Sequence, residues 1–352
     1  MHGIHGGALR RILQVLEQVM DKTIQPGHGS GGKLMNEMIE TVIRKRFGGD
    51  SVQLDDSAIL SIGGVLLAFT TDTFTITPIF FPGGDIGKLA VNGTVNDLAV
   101  MGARPLFISC ALILEEGLAF NELERILDSM KSEADKAGVK IVTGDTKVVP
   151  NGKADKIFIN TSGIGIIEKN IQRREIEPGD RIIVSGTIGD HGMAVMAMRN
   201  NLSFSRGLQS DCAHLNHMIR NVIEAFPESV KFMRDPTRGG VASVLNEIVK
   251  GKNISAKLSE DALPIRDEVK GVCSILGIDA LYAANEGKAI FIVTAADAGG
   301  IVKILKKTPE GRDAAVIGEI NNEFPGKAYI ETGIGGRRIL PLLTEEQLPR
   351  IC

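Results

Sequence analysis

The sequence predicts an α/β protein of two domains, and three observations carry that expectation. Its 352 residues suffice for two domains of ordinary size, each with its own core. From about residue 52 onward, short β-branched runs alternate with amphipathic helical patterns. A turn-rich stretch, Ile176-Glu177-Pro178-Gly179-Asp180, separates two such series. The expected divisions are a helical extension over residues 1–21, an N-terminal domain over 22–175, a C-terminal domain over 176–340 and a mobile tail over 341–352.

Composition bounds the function. With 43% hydrophobic and 24% charged residues the chain reads as a soluble globular protein. A net charge of −3 without a dense Lys/Arg stripe argues against a nucleic-acid surface. No apolar run approaches the roughly 20 residues of a membrane span. Four cysteines, Cys110, Cys212, Cys273 and Cys352, are scattered without CxxC pairing, and no secretory segment leads the chain. A cytoplasmic enzyme is therefore expected. Forty-one glycines against no Trp and two Tyr favour tight turns and backbone close to a ligand over base stacking.

In chain order, Leu9, Ile12, Leu13, Leu16, Val19 and Met20 recur at helical steps over residues 8–21. Gly27-His28-Gly29-Ser30-Gly31-Gly32-Lys33 nearly matches a P-loop. Leu34, however, replaces the metal-binding hydroxyl, and Gln25-Pro26 rather than a buried strand precedes it. This loop, followed by a helix to about Arg46, either wraps phosphates with N–H groups and Lys33 or is a linker. Residues 52–62 and 65–71 read as a hairpin turning at Gly63-Gly64. Asp55-Asp56 and Asp72 sit at its strand ends, either as hard oxygen ligands for Mg²⁺ or as turn formers.

Asp85 opens a helix to about Met101 on which Asp85, Lys88, Asn92 and Asn96 share one face, with Asp97 beside it. That face is nearly uncharged and flanked by glycines, which suits ligand contact better than solvation. A strand over 106–114 and a helix over 120–137 follow. The next strand, 139–142, is expected to end at Thr143-Gly144-Asp145-Thr146-Lys147, placing Asp145 and Lys147 where α/β folds put active-site groups. In the second series, Cys212, His214 and His217 read as helix surface rather than a metal site, for want of a second ligand pair. Asp235-Pro236-Thr237-Arg238-Gly239-Gly240 forms an anion-friendly turn before a helix. Asn285-Glu286-Gly287-Lys288 leads into a strand. The chain ends in Pro349-Arg350-Ile351-Cys352, a thiol on a terminal tether.

The segments GHGSGGK, LDDSA, TTDTFTITPIFFPGGDIGKLAVNGTVNDLAVMGARP, TGDTKVV, DPTRGG, NEGKA and PRIC, in that order, resemble the HypE family of nickel–iron hydrogenase maturation factors. That family lies in the aminoimidazole ribonucleotide synthetase (PurM-like) superfamily, and the resemblance covers residues 22–352. It implies two α/β domains per chain, with N-terminal domains pairing into a β-barrel-like interface of a homodimer. ATP is expected beneath the glycine-rich loop, on Gly29, Ser30, Gly31, Gly32 and Lys33, with Asp85, Lys88, Asn92, Asn96 and Asp145 as further binding residues. Mg²⁺ and the phosphates are expected on Asp56, Asp72, Asp97 and Asp235, with Asp55 beside the first.

The resemblance also implies that Cys352 receives a carbamoyl group from HypF and that the group is dehydrated to a thiocyanate with ATP. The cyanide then passes to iron on a HypC–HypD complex. A carboxamide oxygen leaves poorly, and phosphorylation turns it into a phosphate leaving group. Mg²⁺ and Lys33 would stabilise the transferring charge. A base must then take the N–H protons; Glu286 and Lys147 are the leading candidates and His28 the lesser one. A selenophosphate synthetase would want a Cys near the glycine-rich loop, where none stands. An ATP-binding scaffold whose Cys tail only docks partners is the rival from another class.

Overall fold

The computed structural model describes residues 23–47, 55–168, 174–202, 207–343, 348 and 350–352. The amphipathic pattern at 8–21 and the expected start of the hairpin at residue 52 lie outside them. The chain forms two compact units, residues 1–52 with 343–349, and residues 53–342 with 350–352.

In the first unit, a 3-10 turn (Pro26–Gly29) leads to helix α1 (Lys33–Met38), which runs through a π turn (Ile39–Ile43) into α2 (Arg44–Phe47). The N–H of Lys33 donates to the carbonyl of Leu343 at 2.8 Å. A Cβ on Gly32 would stand 2.4 Å from that same oxygen, so the close approach of residue 343 requires glycine there.

The second unit begins with the hairpin β1 (Ala58–Ile62) and β2 (Val65–Phe74), paired antiparallel. Its turn residues Gly63 and Gly64 have φ of +58° and +82°, the left-handed pair that a tight twisted hairpin demands. A short ribbon, β3 (Phe80–Phe81) and β4 (Gly84–Asp85), leads to helix α3 (Ile86–Val100). Asp85 caps that helix, accepting from the N–H groups of Gly87 and Lys88 at 2.8 and 2.9 Å. Strand β5 (Arg104–Glu115), helix α4 (Phe120–Ala137), β6 (Lys140–Val149) and β7 (Ile157–Ile166) complete a five-stranded sheet in the order β1-β2-β7-β5-β6.

One face of this sheet is buried under α3, which packs on β2 and β7. The other presents large apolar side chains to solvent. Phe69, Ile164 and Phe107 form a row across β2, β7 and β5, each about two-fifths exposed. The strand expected to end at residue 142 instead runs on to Val149. Its parallel pairing with β5 continues as far as Glu115 opposite Val149. Thr143–Lys147 therefore lie inside an outer strand, not at a strand's C-terminal end.

The second sheet has seven strands in the order β14-β13-β10-β12-β8-β11-β9. These are β8 (Arg181–Val184), β9 (Val230–Arg234), β10 (Ser255–Ser259), β11 (Ile290–Val293), β12 (Ala315–Asn321), β13 (Ala328–Glu331) and β14 (Arg337–Leu340). Helices α5 (Asp190–Arg199), α6 (Asn216–Ala225), α7 (Gly240–Val249), α8 (Asp267–Leu276) and α9 (Ala298–Leu305) connect them. Ala99 and Val100 of α3 join the apolar core formed by Leu215, Met218 and Ile219 with β8, β9 and β11. That shared core welds the two sheets and places α3 at their junction. No helix among the described residues is long and apolar enough to cross a membrane.

Candidate active site

Three carboxylates meet at the junction. Single oxygens of Asp56, Asp97 and Asp235 all lie within 4.8 Å of one another. Asp56 precedes β1, Asp97 comes from α3 and Asp235 follows β9, so three separate elements converge. The Thr70 hydroxyl donates to Asp97 at 2.9 Å and to the Asp56 carbonyl at 2.8 Å, and the Ser57 hydroxyl donates to the Asp97 carbonyl at 3.1 Å. Asp72 on β2 adjoins the group. Gly93 of α3 has no side chain because a Cβ there would press on Phe74 at 2.8 Å, with the Asp72 carboxylate 3.5 Å away.

The electrostatics of this cluster are lopsided. Burial raises the Asp56 carboxyl to about 6 despite the opposing Arg234, whose guanidinium lies 3.0 Å away. Burial, reinforced by the neighbouring carboxylates, raises Asp97 and Asp235 well above the ordinary range, and burial also raises Asp72. Arg234 is shared with Glu247, so the cationic charge falls short of the acidic charge. Converging hard oxygens that repel one another without enough cation fit a divalent ion such as Mg²⁺. Asp56, Asp97 and Asp235 are the residues that would hold it. Asp55 stands beside Asp56 and adds to its repulsion.

Glu286 lies under the cluster, almost wholly buried at 2% exposure. Burial, then Asp235, Asp72 and Asp211, push its carboxyl well above the ordinary range, and Arg238 opposes them. Its Oε1 has no hydrogen-bond partner among the described residues. The loop is held by Asn285, whose amide donates to the Pro236 carbonyl at 3.1 Å while its Oδ1 accepts from the Gly189 N–H at 2.7 Å. Asn285 thereby fastens the NEGK segment to the DPTRGG segment.

The end of the chain docks into the same region. The terminal carboxylate of Cys352 accepts from the Thr75 N–H at 3.1 Å and its hydroxyl at 3.4 Å. Arg350 donates to the Thr75 carbonyl at 2.8 Å and pairs with Asp155, and Ile351 is buried. Thr75 directly follows β2, three residues beyond Asp72. The Arg238 guanidinium is held charged first by Cys352 and then, against burial, by Asp72, Glu286 and Asp97. It thus links the tail to the carboxylates. Of the tail, the last three residues lie against Thr75, Asp155 and His191.

The other expected residues make contacts of their own. His28 accepts from the Gln25 N–H at 3.0 Å and Lys33 pairs with Glu37 at 3.8 Å, and these lie with Gly29, Ser30, Gly31 and Gly32 in the first unit. Of the face shared by Asp85, Lys88, Asn92 and Asn96, the two asparagines meet the second domain. Asn96 donates to the Ala213 carbonyl at 3.0 Å and accepts from the Leu215 N–H at 2.8 Å. Asn92 donates to Glu133 at 3.2 Å and to the Cys212 thiol at 3.7 Å, while Lys88 donates to the Gly83 carbonyl at 3.2 Å. Asp85 is spent as the cap of α3. Asp145 and Lys147 pair with each other at 2.6 Å, both largely exposed. Asp72 pairs with Thr161, Thr161 with Cys110 and Cys110 with Gly144, so β6 lies three strands, about 14 Å, from β2. Within one chain Lys147 does not join the cluster.

Sequence reading missed Arg234 and placed Arg238 only within an anion-friendly turn, although both lie close to the flagged Asp235. A basic residue on either side of an acid expected to bind metal was the available signal. It also missed Asp211 and His191, which no local pattern marks.

Known proteins resemble this chain in both halves of the fold. Residues 54–167 match the N-terminal domain of AIR synthase related proteins, and residues 177–331 match the C-terminal domain. The carbamoyl dehydratase HypE of Rhodobacter capsulatus is 47% identical over 338 residues, covering 94% of this chain and 99% of that protein. A crystal structure of a HypE–HypF complex superposes with a TM-score of 0.81 at 46% identity, over 87% of this chain and 99% of that one. One of HypE in complex with ATP gives 0.78 at 44% identity, over 94% and 100%. Identity at this level over nearly the whole length, with both halves of the fold matched, places the chain in the HypE family of AIR synthase related proteins.

Proposed function

We propose that this protein is an ATP-dependent carbamoyl dehydratase that converts an S-carbamoyl group on its own Cys352 to a thiocyanate. The thiocyanate would supply the cyanide ligand of a nickel–iron hydrogenase. The observation that carries this reading is the docking of the terminal residue beside a carboxylate cluster that fits a divalent cation. ATP with Mg²⁺ on Asp56, Asp97 and Asp235 would supply the phosphoryl group that makes the amide oxygen a competent leaving group. Thr75 holds the terminal carboxylate and so fixes where the thiol stands. Arg238 offers a cation beside that carboxylate and Asp72. Glu286, a buried carboxyl pushed up by burial and by Asp235, is the residue for taking the amide protons once it is ionised. Ile351, next to the thiol-bearing residue, is buried, while Cys352 itself is partly exposed.

The relative crystallised with HypF supports HypF as the carbamoyl donor, and the relative crystallised with ATP supports the nucleotide. A HypC–HypD complex is the proposed acceptor of the cyanide. Mass spectrometry of the intact C-terminal peptide after incubation with HypF, carbamoyl phosphate and Mg-ATP tests the reading. An adduct on Cys352 that loses one water only with ATP is expected. A persistent carbamoyl adduct under these conditions would leave only a carrier.

Two further outcomes are expected. Glu286→Gln lets the carbamoyl adduct form but slows its dehydration by roughly 10²–10⁴-fold. In the wild type that rate rises with pH as Glu286 loses its proton, and the rise flattens in the variant. An unaltered pH–rate profile would remove Glu286 from proton transfer. The apolar row Phe69, Ile164 and Phe107 is the proposed homodimer face, in keeping with the expected barrel-like pairing of N-terminal domains. Ile164→Asp therefore elutes as a monomer in gel filtration, and a dimer of wild-type size would place the interface elsewhere.

A further inference from the structure

A hydrogen-bonded chain separate from the carboxylate cluster ends on the tail. The Cys212 N–H donates to Ser210 Oγ at 3.0 Å, Ser210 Oγ lies 2.8 Å from His191 Nδ1, and His191 Nε2 lies 2.8 Å from the Ile351 carbonyl oxygen. A carbonyl can only accept, so Nε2 carries the hydrogen. In the neutral ring Nδ1 must then accept from the Ser210 hydroxyl. Burial keeps the imidazole pKa below its ordinary value, which favours that neutral form. Every polar atom along the chain is matched in one direction. The ring itself is wholly buried and packs edge-on against Phe81 with centroids 5.3 Å apart.

At the other end of α5, Arg199 bridges two backbones. Its Nε donates to the Thr77 carbonyl and its Nη2 to the Arg350 carbonyl, both at 2.5 Å. The Thr77 N–H also donates to the Arg350 carbonyl at 3.4 Å. Arg350 has φ of +52°, a left-handed conformation that an L-residue adopts only when its surroundings impose it. The chain thus turns sharply just before its last two residues, and the contacts holding that turn come from α5 and the segment after β2.

We propose that His191 and Arg199 are positioning residues that latch the tail through the carbonyls of Ile351 and Arg350, setting how deep the Cys352 thiol sits. Both act on backbone atoms, so the latch tolerates any chemistry on the sulfur: thiol, carbamoyl or thiocyanate. The inference rests on Cys352 being the carrier.

The test compares His191→Leu, which loses the donor, with His191→Gln, whose side-chain amide can still donate. The probe is iodoacetamide on the full-length protein, with alkylation followed on the C-terminal peptide by mass spectrometry. Alkylation of Cys352 is expected to be about tenfold faster in His191→Leu and near wild type in His191→Gln. Dehydration of the carbamoyl adduct should slow in the Leu variant while carbamoylation by HypF does not. Arg199→Met, in a partly exposed residue whose loss does not threaten the core, should move alkylation the same way. Unchanged alkylation in both His191→Leu and Arg199→Met overturns the latch, as does equal acceleration in His191→Leu and His191→Gln. Faster alkylation in a protein that HypF never carbamoylates would uphold the latch and overturn the carrier reading, so the two fail separately.

Discussion

Replacing Cys352 with alanine abolishes thiocyanate formation while leaving ATP affinity within about threefold of wild type. The size of the effect follows from chemistry, because the sulfur is the atom to which the carbamoyl group is joined and nothing else in the variant replaces it. The specificity follows from geometry. The hydrogen bonds that seat the tail use the carboxylate of residue 352 and the carbonyls of Ile351 and Arg350, none of which alanine removes. Docking therefore survives, and the melting temperature should stay within a degree or two of wild type, as for a surface change of this size. Calorimetric ATP titration and mass spectrometry of the reacted protein check both halves. Cyanide formed by the alanine variant would show that the thiol is not the carrier.

Asp97→Asn separates function from stability by moving them in opposite directions. Loss of one of three converging carboxylates should weaken Mg-ATP binding by roughly 100-fold. Without metal, however, the substitution removes a group that its neighbours and burial disfavour in charged form. An acid whose folded pKa lies above its unfolded value contributes stability below the unfolded pKa. It loses that contribution as pH rises through the folded value. The wild-type apoprotein should therefore lose stability as pH climbs from about 4 toward 8, and Asp97→Asn should lose less. At pH 8 without Mg²⁺ the variant is expected to melt a few degrees higher, by roughly 2–4 °C. With Mg²⁺ the wild type should gain and the variant should not. Differential scanning calorimetry with and without the ion decides it. A variant that melts lower in the apo form, with unchanged Mg-ATP affinity, would remove Asp97 from the site.

Much of this architecture was legible because it is local. Gly63-Gly64 between two β-branched runs is a hairpin on backbone conformation alone, and Asp85 ahead of an apolar helical repeat is a cap. The acids at 56, 72 and 235 were marked by residue type and by their places at the ends of elements, and Asp97 by its place beside the polar face of its helix. Their convergence was expected from the resemblance, while its geometry came from α3 crossing between two sheets.

What was not legible depends on which element covers which. The stripe of Lys88, Asn92 and Asn96 looks like a ligand face when α3 is read alone. In the fold, residues 212–215 and Glu286 lie against it and take up the amide of Asn96. Asp145 and Lys147 looked like strand-end residues, but pairing with β5 carries their strand past them to Val149.

The sequence by itself determined the two α/β series, the acidic residues able to hold a divalent ion and the thiol at the end of the chain. Each of these is a matter of residue type or short-range periodicity. Only the tertiary structure decided that the carboxylate of residue 352 meets Thr75, that Arg238 feels both Cys352 and the acids, and that His191 bonds the Ile351 carbonyl. Those relations join residues far apart in sequence, and packing across the junction, not any local pattern, brings them together.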